Sequence, residues 1–137
     1  MPEIYSEKLF KKNFVKWFKE LYPLDHIQLI ESEATSTGIP DINACKGGKE
    51  VWIELKSGYL SKTSIKPGQF VWHIKRNQAG GTTWIVQRYD GGIVKVYNGN
   101  RIREFRESPN KVIPCKVFDG TTPIGRRDLW EYLFIGS

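Results

Sequence analysis

The sequence predicts an α/β fold, a central mixed β-sheet flanked by helices. Three observations predict it. Apolar residues recur at helical spacing in two segments, 3–21 and 67–78. Apolar runs bounded by turn residues mark strands between and after them. Finally, the order is a helix, three strands, a helix and then two or more strands, which suits a sheet with a helix on each side.

The first helix rests on Phe10, Phe14, Trp17, Phe18 and Leu21, spaced three and four apart, with Lys8, Lys12, Lys16 and Lys19 opposite. At 100° per residue, Glu7 falls within about 20° of Phe14, so this acid is expected to point inward. Glu20 falls outside the apolar arc and reads as a surface residue, as does Glu3 with the first turn frayed beside Pro2. A strand over 26–33 follows "YPLD", and "ATSTGIPD" then reads as a loop. "DINACKGGKEVWIELKSG" reads as two strands paired across a tight turn at Lys46, Gly47, Gly48 and Lys49. Residues 59–66 form a loop. Pro67 suits the first turn of the second helix, which is expected to bury Phe70, Val71 and Ile74 and to stop at Gly80 and Gly81.

Beyond it, "TTWIVQRY" and "GIVKVYNG" are two strands joined through Asp90, Gly91 and Gly92, and "RIREFRE" reads as a third. "KVIPCKVF" is expected at a sheet edge because Pro114 cannot donate to a ladder, and "RRDLWEYLF" as a short closing helix. The chain reads as a single domain over 1–137, with 91–137 a β-rich and short-helix C-terminal extension.

Composition narrows the functional classes. A chain of 137 residues can bury a core without staples, and no apolar run approaches the roughly 20 residues of a membrane helix. Charges at Glu7, Lys8, Lys11 and Lys12 interrupt any secretory leader, so a cytoplasmic, intracellular location is expected. Cys45 and Cys115 belong to no zinc or disulfide pattern. A formal charge of +6 and a pI of about 9.3 favour a polyanionic partner such as nucleic acid.

The chemistry concentrates in "VWIELKS". Alternation places Val51, Ile53 and Leu55 on one face, and Trp52, Glu54 and Lys56 on the other. One reading is an exposed ion pair between Glu54 and Lys56, contributing about 0–1 kcal/mol. The other adds Asp41 from the neighbouring strand and Glu7 from the first helix, so that three acids converge. Like charges that close repel unless a divalent cation neutralises them, and oxygen ligands suit Mg2+, with Mn2+ substituting. Lys56 would then orient the attacking water, help deprotonate it, or stabilise charge on the phosphate.

"GIPD", a short gap and "WIELK" together resemble the signature of the PD-(D/E)xK nuclease superfamily. With an acid in the preceding helix, a Gln after the triplet and "AGG" before the next strand, residues 4–90 look like the archaeal-type Holliday junction resolvases and the VRR-NUC nucleases. The resemblance implies a restriction-endonuclease-like fold. It implies Asp41 and Glu54 as metal ligands, the Leu55 backbone carbonyl as a third, and Lys56 as the catalytic lysine. Glu7 would lie in the outer shell or bind a second ion, and Gln69 would hold a water or a phosphate. Ser36 would fill a serine position in the loop, with Thr35 and Thr37 competing for it. The implied activity is a Mg2+-dependent endodeoxyribonuclease acting on branched DNA, foremost a homodimeric Holliday junction resolvase. A VRR-NUC-like flap or repair nuclease is the alternative, and a non-catalytic basic nucleic-acid-binding module the rival outside the enzymes.

Lys46 and Lys49 in the hairpin turn, Lys62 and Lys66 in the following loop, and Arg76 are the expected phosphate contacts. Lysines 8, 11, 12, 16 and 19 read as a solvated helix face. Arg101, Arg103 and Arg106 alternate along the expected late strand. Trp17 and Trp84 belong to the core, whereas Trp52, Trp72 and Trp130 are candidate surface aromatics. His26 and His73 read as structural, His73 on a polar helix side with Arg76.

Overall fold

The computed structural model describes residues 6–30, 37–60 and 64–136. Helix α1 (Glu7–Leu21) starts where the Ser6 hydroxyl accepts the Leu9 N–H at 3.1 Å. Its stripe of Phe10, Phe14, Trp17 and Phe18 is buried. Strands β1 (His26–Leu29), β2 (Ile42–Lys46) and β3 (Lys49–Ser57) form an antiparallel meander. Gly47 and Gly48, at φ 58° and 78°, close the β2–β3 hairpin with the left-handed pair that a two-residue turn requires. Helix α2 (Pro67–Gln78) crosses from β3 to β4 (Thr83–Arg88), so this one pair is parallel. β5 (Ile93–Asn98), α3 (Ile102–Glu107), β6 (Lys116–Asp119) and α4 (Pro123–Ile135) complete the chain. The six strands lie side by side in chain order.

The sheet separates two apolar clusters. On one face, Ile42, Ala44, Val51, Ile53, Leu55, Trp84, Val86, Val94 and Val96 pack beneath α1 and α4. Trp130 seals that layer, its ring 4.4 Å from Phe14 and 4.9 Å from Phe18. On the other face, Ile85 and Tyr97 meet Ile102, Phe105, Leu60, Ile65 and Val112 beneath α2 and α3. Among the described residues, no helix is long and apolar enough to cross a membrane.

Several expectations are corrected. "RIREFRE" is not a strand: it forms a 3-10 turn (Gly99–Arg101) and then α3. Ile102 and Phe105 are buried three residues apart, and Arg101 pairs with Glu104 at the same step, which is helical and not alternating spacing. Arg101, Arg103 and Arg106 therefore line no strand. β1 spans His26–Leu29, and residues 31–33 of the expected strand lie outside the described residues. Residues 31–36, including Ser36 and Thr35, lie outside the described residues, as does Lys62.

On α2 the buried residues are Gln69 and His73, while Val71 is exposed and Phe70 and Ile74 are only half-buried. Trp130 is wholly buried, and the closing helix α4 is longer than the segment expected. β6 is an edge strand as expected, starting after Pro114. β5 and β6 extend the same sheet, so 91–137 contributes to its architecture.

Candidate active site

The site forms beside the parallel seam, where three buried polar side chains lie under α2. Asp41, Glu54 and Lys56 are 4%, 0% and 6% exposed, so the solvent-exposed ion pair considered from the sequence does not occur. Asp41 precedes β2. Its Oδ2 accepts the Leu55 N–H at 2.9 Å, and its carbonyl accepts the Ile30 N–H at 2.7 Å. The loop before it is fixed by Gly38. At φ 100°, a Cβ there would stand 2.1 Å from the Gly68 carbonyl oxygen, so only glycine lets this loop touch the start of α2. That contact ties the Asp41 loop to the helix carrying Gln69.

Lys56 Nζ donates to the Ser64 carbonyl at 2.8 Å and meets Gln69 Oε1 at 3.5 Å. Gln69 Oε1 also accepts the Lys66 N–H at 3.0 Å, so one amide oxygen caps the helix and braces the ammonium. Among the described residues, neither oxygen of Glu54 has a hydrogen-bond donor. Its carboxyl adjoins that of Asp41, close enough to share a proton when Glu54 is neutral. Burial, reinforced by Asp41, pushes Glu54 well above the ordinary carboxylate range, against the opposing pull of Lys56. For Asp41 burial acts upward, but Glu54, the Leu55 N–H and Lys11 outweigh it and hold its pKa below the usual value.

Glu7 departs from its expected inward place: its side chain is 43% exposed, and it meets Lys11 at 3.9 Å. Among the described residues, no three His, Cys, Asp or Glu side chains come together as a metal-binding group, so the expected convergence of three acids reduces to Asp41 and Glu54. These two still suit a hard cation, because both oxygens of a buried carboxylate lack donors. Mg2+ needs only one or two carboxylates, with waters completing its shell.

Lys11 is the residue that sequence reasoning missed. Its Nζ lies 2.9 Å from Asp41 Oδ1, with the side chain only 25% exposed. Burial opposes its charge, yet Asp41, Glu7 and Glu54 raise its pKa. The signal was available, since Lys11 stands one turn beyond Glu7 and about 40° around the helix from it. His73 is wholly buried and not on a polar surface. Its Nδ1 lies 2.7 Å from Thr83 Oγ1, and burial, then the charge of Lys56, lowers its pKa to about 4. Across the parallel seam from Lys56, Gln87 donates to the Gly58 carbonyl at 2.7 Å and accepts the Tyr97 hydroxyl at 3.1 Å.

Among the described residues, the expected phosphate contacts are spread over several places, with Lys66 adjoining the site through its backbone N–H on Gln69. Lys46 projects to the opposite face, its Nζ 4.9 Å from the Tyr22 ring centroid and 5.9 Å from that of Phe134. Lys49 is exposed five residues before Glu54, roughly 16 Å along the strand. Lys66 is exposed at the α2 N-cap. Arg76 covers the paired rings of Trp52 and Trp72, at 5.6 and 4.7 Å.

No protein-family model and no curated protein matches the chain. Among solved structures, Hjc, a Holliday junction resolvase from the archaeal hyperthermophile Archaeoglobus fulgidus, aligns with 65% of this chain and 75% of its own. The TM-score is 0.44 and the identity 18%. That likeness is too distant to assign a role to any residue.

Proposed function

We propose that the protein is a divalent-metal-dependent endodeoxyribonuclease that hydrolyses phosphodiester bonds in branched DNA, with the four-way junction as the first substrate to test. One observation carries this reading. Glu54 is wholly buried with no donor to either oxygen among the described residues, beside the Asp41 carboxyl and on the same strand face as Lys56. Without a cation Glu54 stays buried only as the neutral acid, because an unpaired carboxylate there loses its hydration and regains nothing, whereas a divalent ion would stabilise the charged form. The junction preference rests on the sequence resemblance of "GIPD" and "WIELK", and the net charge of +6 suits a polyanion.

In this reading Asp41 and Glu54, with the Leu55 carbonyl, would hold a Mg2+ ion, which would supply Lewis acidity and a more acidic water. The chain's own groups do the rest. Lys56 presents its ammonium to a non-bridging phosphate oxygen, where negative charge grows in the transition state. Gln69, 3.5 Å from Nζ, limits the directions that ammonium can take, and helix α2 keeps bulk water from the carboxylates. Glu7, at the rim, faces the outer hydration shell. A homodimer would offer one site to each of two symmetric strands.

The test is cleavage of labelled four-way junctions, flaps and linear duplexes by the purified chain, with Mg2+ or with EDTA. Cleavage is expected only with the ion, and is lost on the order of 10³-fold in Lys56→Ala while binding by gel shift persists. Undiminished cleavage by Asp41→Ala would overturn the site. Paired symmetric nicks confined to the junction assign the resolvase activity, and flap cleavage assigns the repair-type alternative. Binding without any cleavage leaves the basic binding module. Sedimentation with and without junction DNA tests the dimer.

A further inference from the structure

We propose that Lys11 is a tethered counter-cation that occupies the ion position at Asp41, so that a divalent metal must displace it in order to bind. The inference rests on the metal-site reading above. Of the two Asp41 oxygens, Oδ2 is committed to the Leu55 N–H at 2.9 Å, which leaves Oδ1 as the face open to a cation. The Lys11 ammonium stands on that oxygen at 2.9 Å. Its second acid, Glu7, is at 3.9 Å, so the ammonium is shared along α1 and directed by Asp41.

Asp41 is almost wholly buried, and a charge in such a place needs a partner. Lys11 provides one without filling the coordination needs of Glu54, whose oxygens both stay without a donor. A single ammonium therefore satisfies half of the carboxylate pair. An ion that bridges both acids gains Glu54 but forfeits the Lys11–Asp41 contact.

This exchange has two opposed signatures. Removing the ammonium leaves Asp41 uncompensated in the metal-free protein, which loses thermal stability. The same removal takes away the competitor, so the ion binds more tightly. A merely structural lysine would give the first effect without the second.

The experiment is titration of the metal-free full chain with Mn2+, read by electron paramagnetic resonance of the free ion and by the shift in melting temperature. Wild type is compared with Lys11→Met, Glu54→Gln and Lys8→Met, the last removing an exposed charge from the same helix. K11M is expected to melt lower than wild type in EDTA, to bind Mn2+ about tenfold more tightly, and to gain more stability from the ion. K8M should change affinity by less than about twofold. Affinity in K11M equal to or weaker than wild type, with binding lost in E54Q, overturns the role of Lys11 and leaves the metal-site reading standing. Absence of Mn2+ binding in wild type and K11M alike overturns both. Should K11M fail to fold, K11Q provides the same comparison, because its amide can still donate toward Asp41 without carrying charge.

Discussion

The two faces of the sheet are built from the same strands yet follow different rules. Under α1 and α4, Val51, Ile53 and Leu55 face Phe10, Phe14, Phe18 and Trp130, and stability depends on volume and contact. Under α2 and α3, Lys56 meets Gln69 and the Ser64 carbonyl, His73 meets Thr83, and Glu54 is wholly buried. The polar groups there depend on a few specific partners. Side-chain alternation alone produces this division. The first face can tolerate exchange among apolar residues of similar size, whereas on the second an isosteric change of one atom alters what a neighbour experiences.

The largest expected effect breaks the apolar face. Trp130→Ala should cost about 4 kcal/mol in urea unfolding, because the ring is wholly buried against Phe14 and Phe18. The remaining folded molecules should keep their cleavage rate per site.

The next effect belongs to the polar face. His73 is neutral when folded, with a pKa of about 4 against 6.5 for a free imidazole. Between those values the unfolded chain takes up a proton that the folded chain refuses. His73's contribution is therefore fully present above 6.5 and is lost as the pH falls, by about 3 kcal/mol at pH 4. Urea midpoints at stepped pH should show that slope in wild type and not in His73→Leu.

Glu54 has the opposite sign. Its folded pKa is raised, so its contribution is present below the ordinary carboxylate value and disappears as the pH climbs. In EDTA at neutral pH, Glu54→Gln should raise stability by about 1–3 kcal/mol, since its amide can donate to Asp41. That gain should vanish near pH 4, and a lower melting temperature for E54Q at pH 7 would count against the buried, donor-free carboxylate. The smallest effect sharpens the contrast with the surface. Lys16 and Glu20 are 3.8 Å apart but 70% and 59% exposed, and Glu20→Gln should move stability by less than about 0.5 kcal/mol.

The sequence made the apolar face legible and the polar one only in part. The 3-and-4 spacing of Phe10, Phe14, Trp17 and Phe18 is a periodic signal that burial reproduces directly, whereas the alternation from Val51 to Lys56 separates two faces that are both largely buried. Asp41, Glu54 and Lys56 were legible as a group because charges within an apolar strand demand partners. α2 misled because its buried stripe is Gln69 and His73, and apolarity does not mark polar residues that are hydrogen-bonded inside. Lys11 was hidden among surface lysines, since a long aliphatic stem lets a charged head reach across to Asp41. "RIREFRE" carried two apolar residues three apart, too short a run to separate strand from helix until Ile102 and Phe105 meet Tyr97 and Ile85.

Spatial order that follows chain order also bears on assembly. β2 and β3, joined by a two-residue turn, can close on the microsecond scale of hairpins, whereas the parallel seam must wait for its crossover. Asp41, Glu54 and Lys56 belong to the early half, while Gln69 and His73 arrive with the late helix. The carboxylates are thus laid out while still wet and dried by the closing step. A cation present during refolding meets an open pair and one added afterwards meets a roofed one, so loading should be faster in the first order of addition.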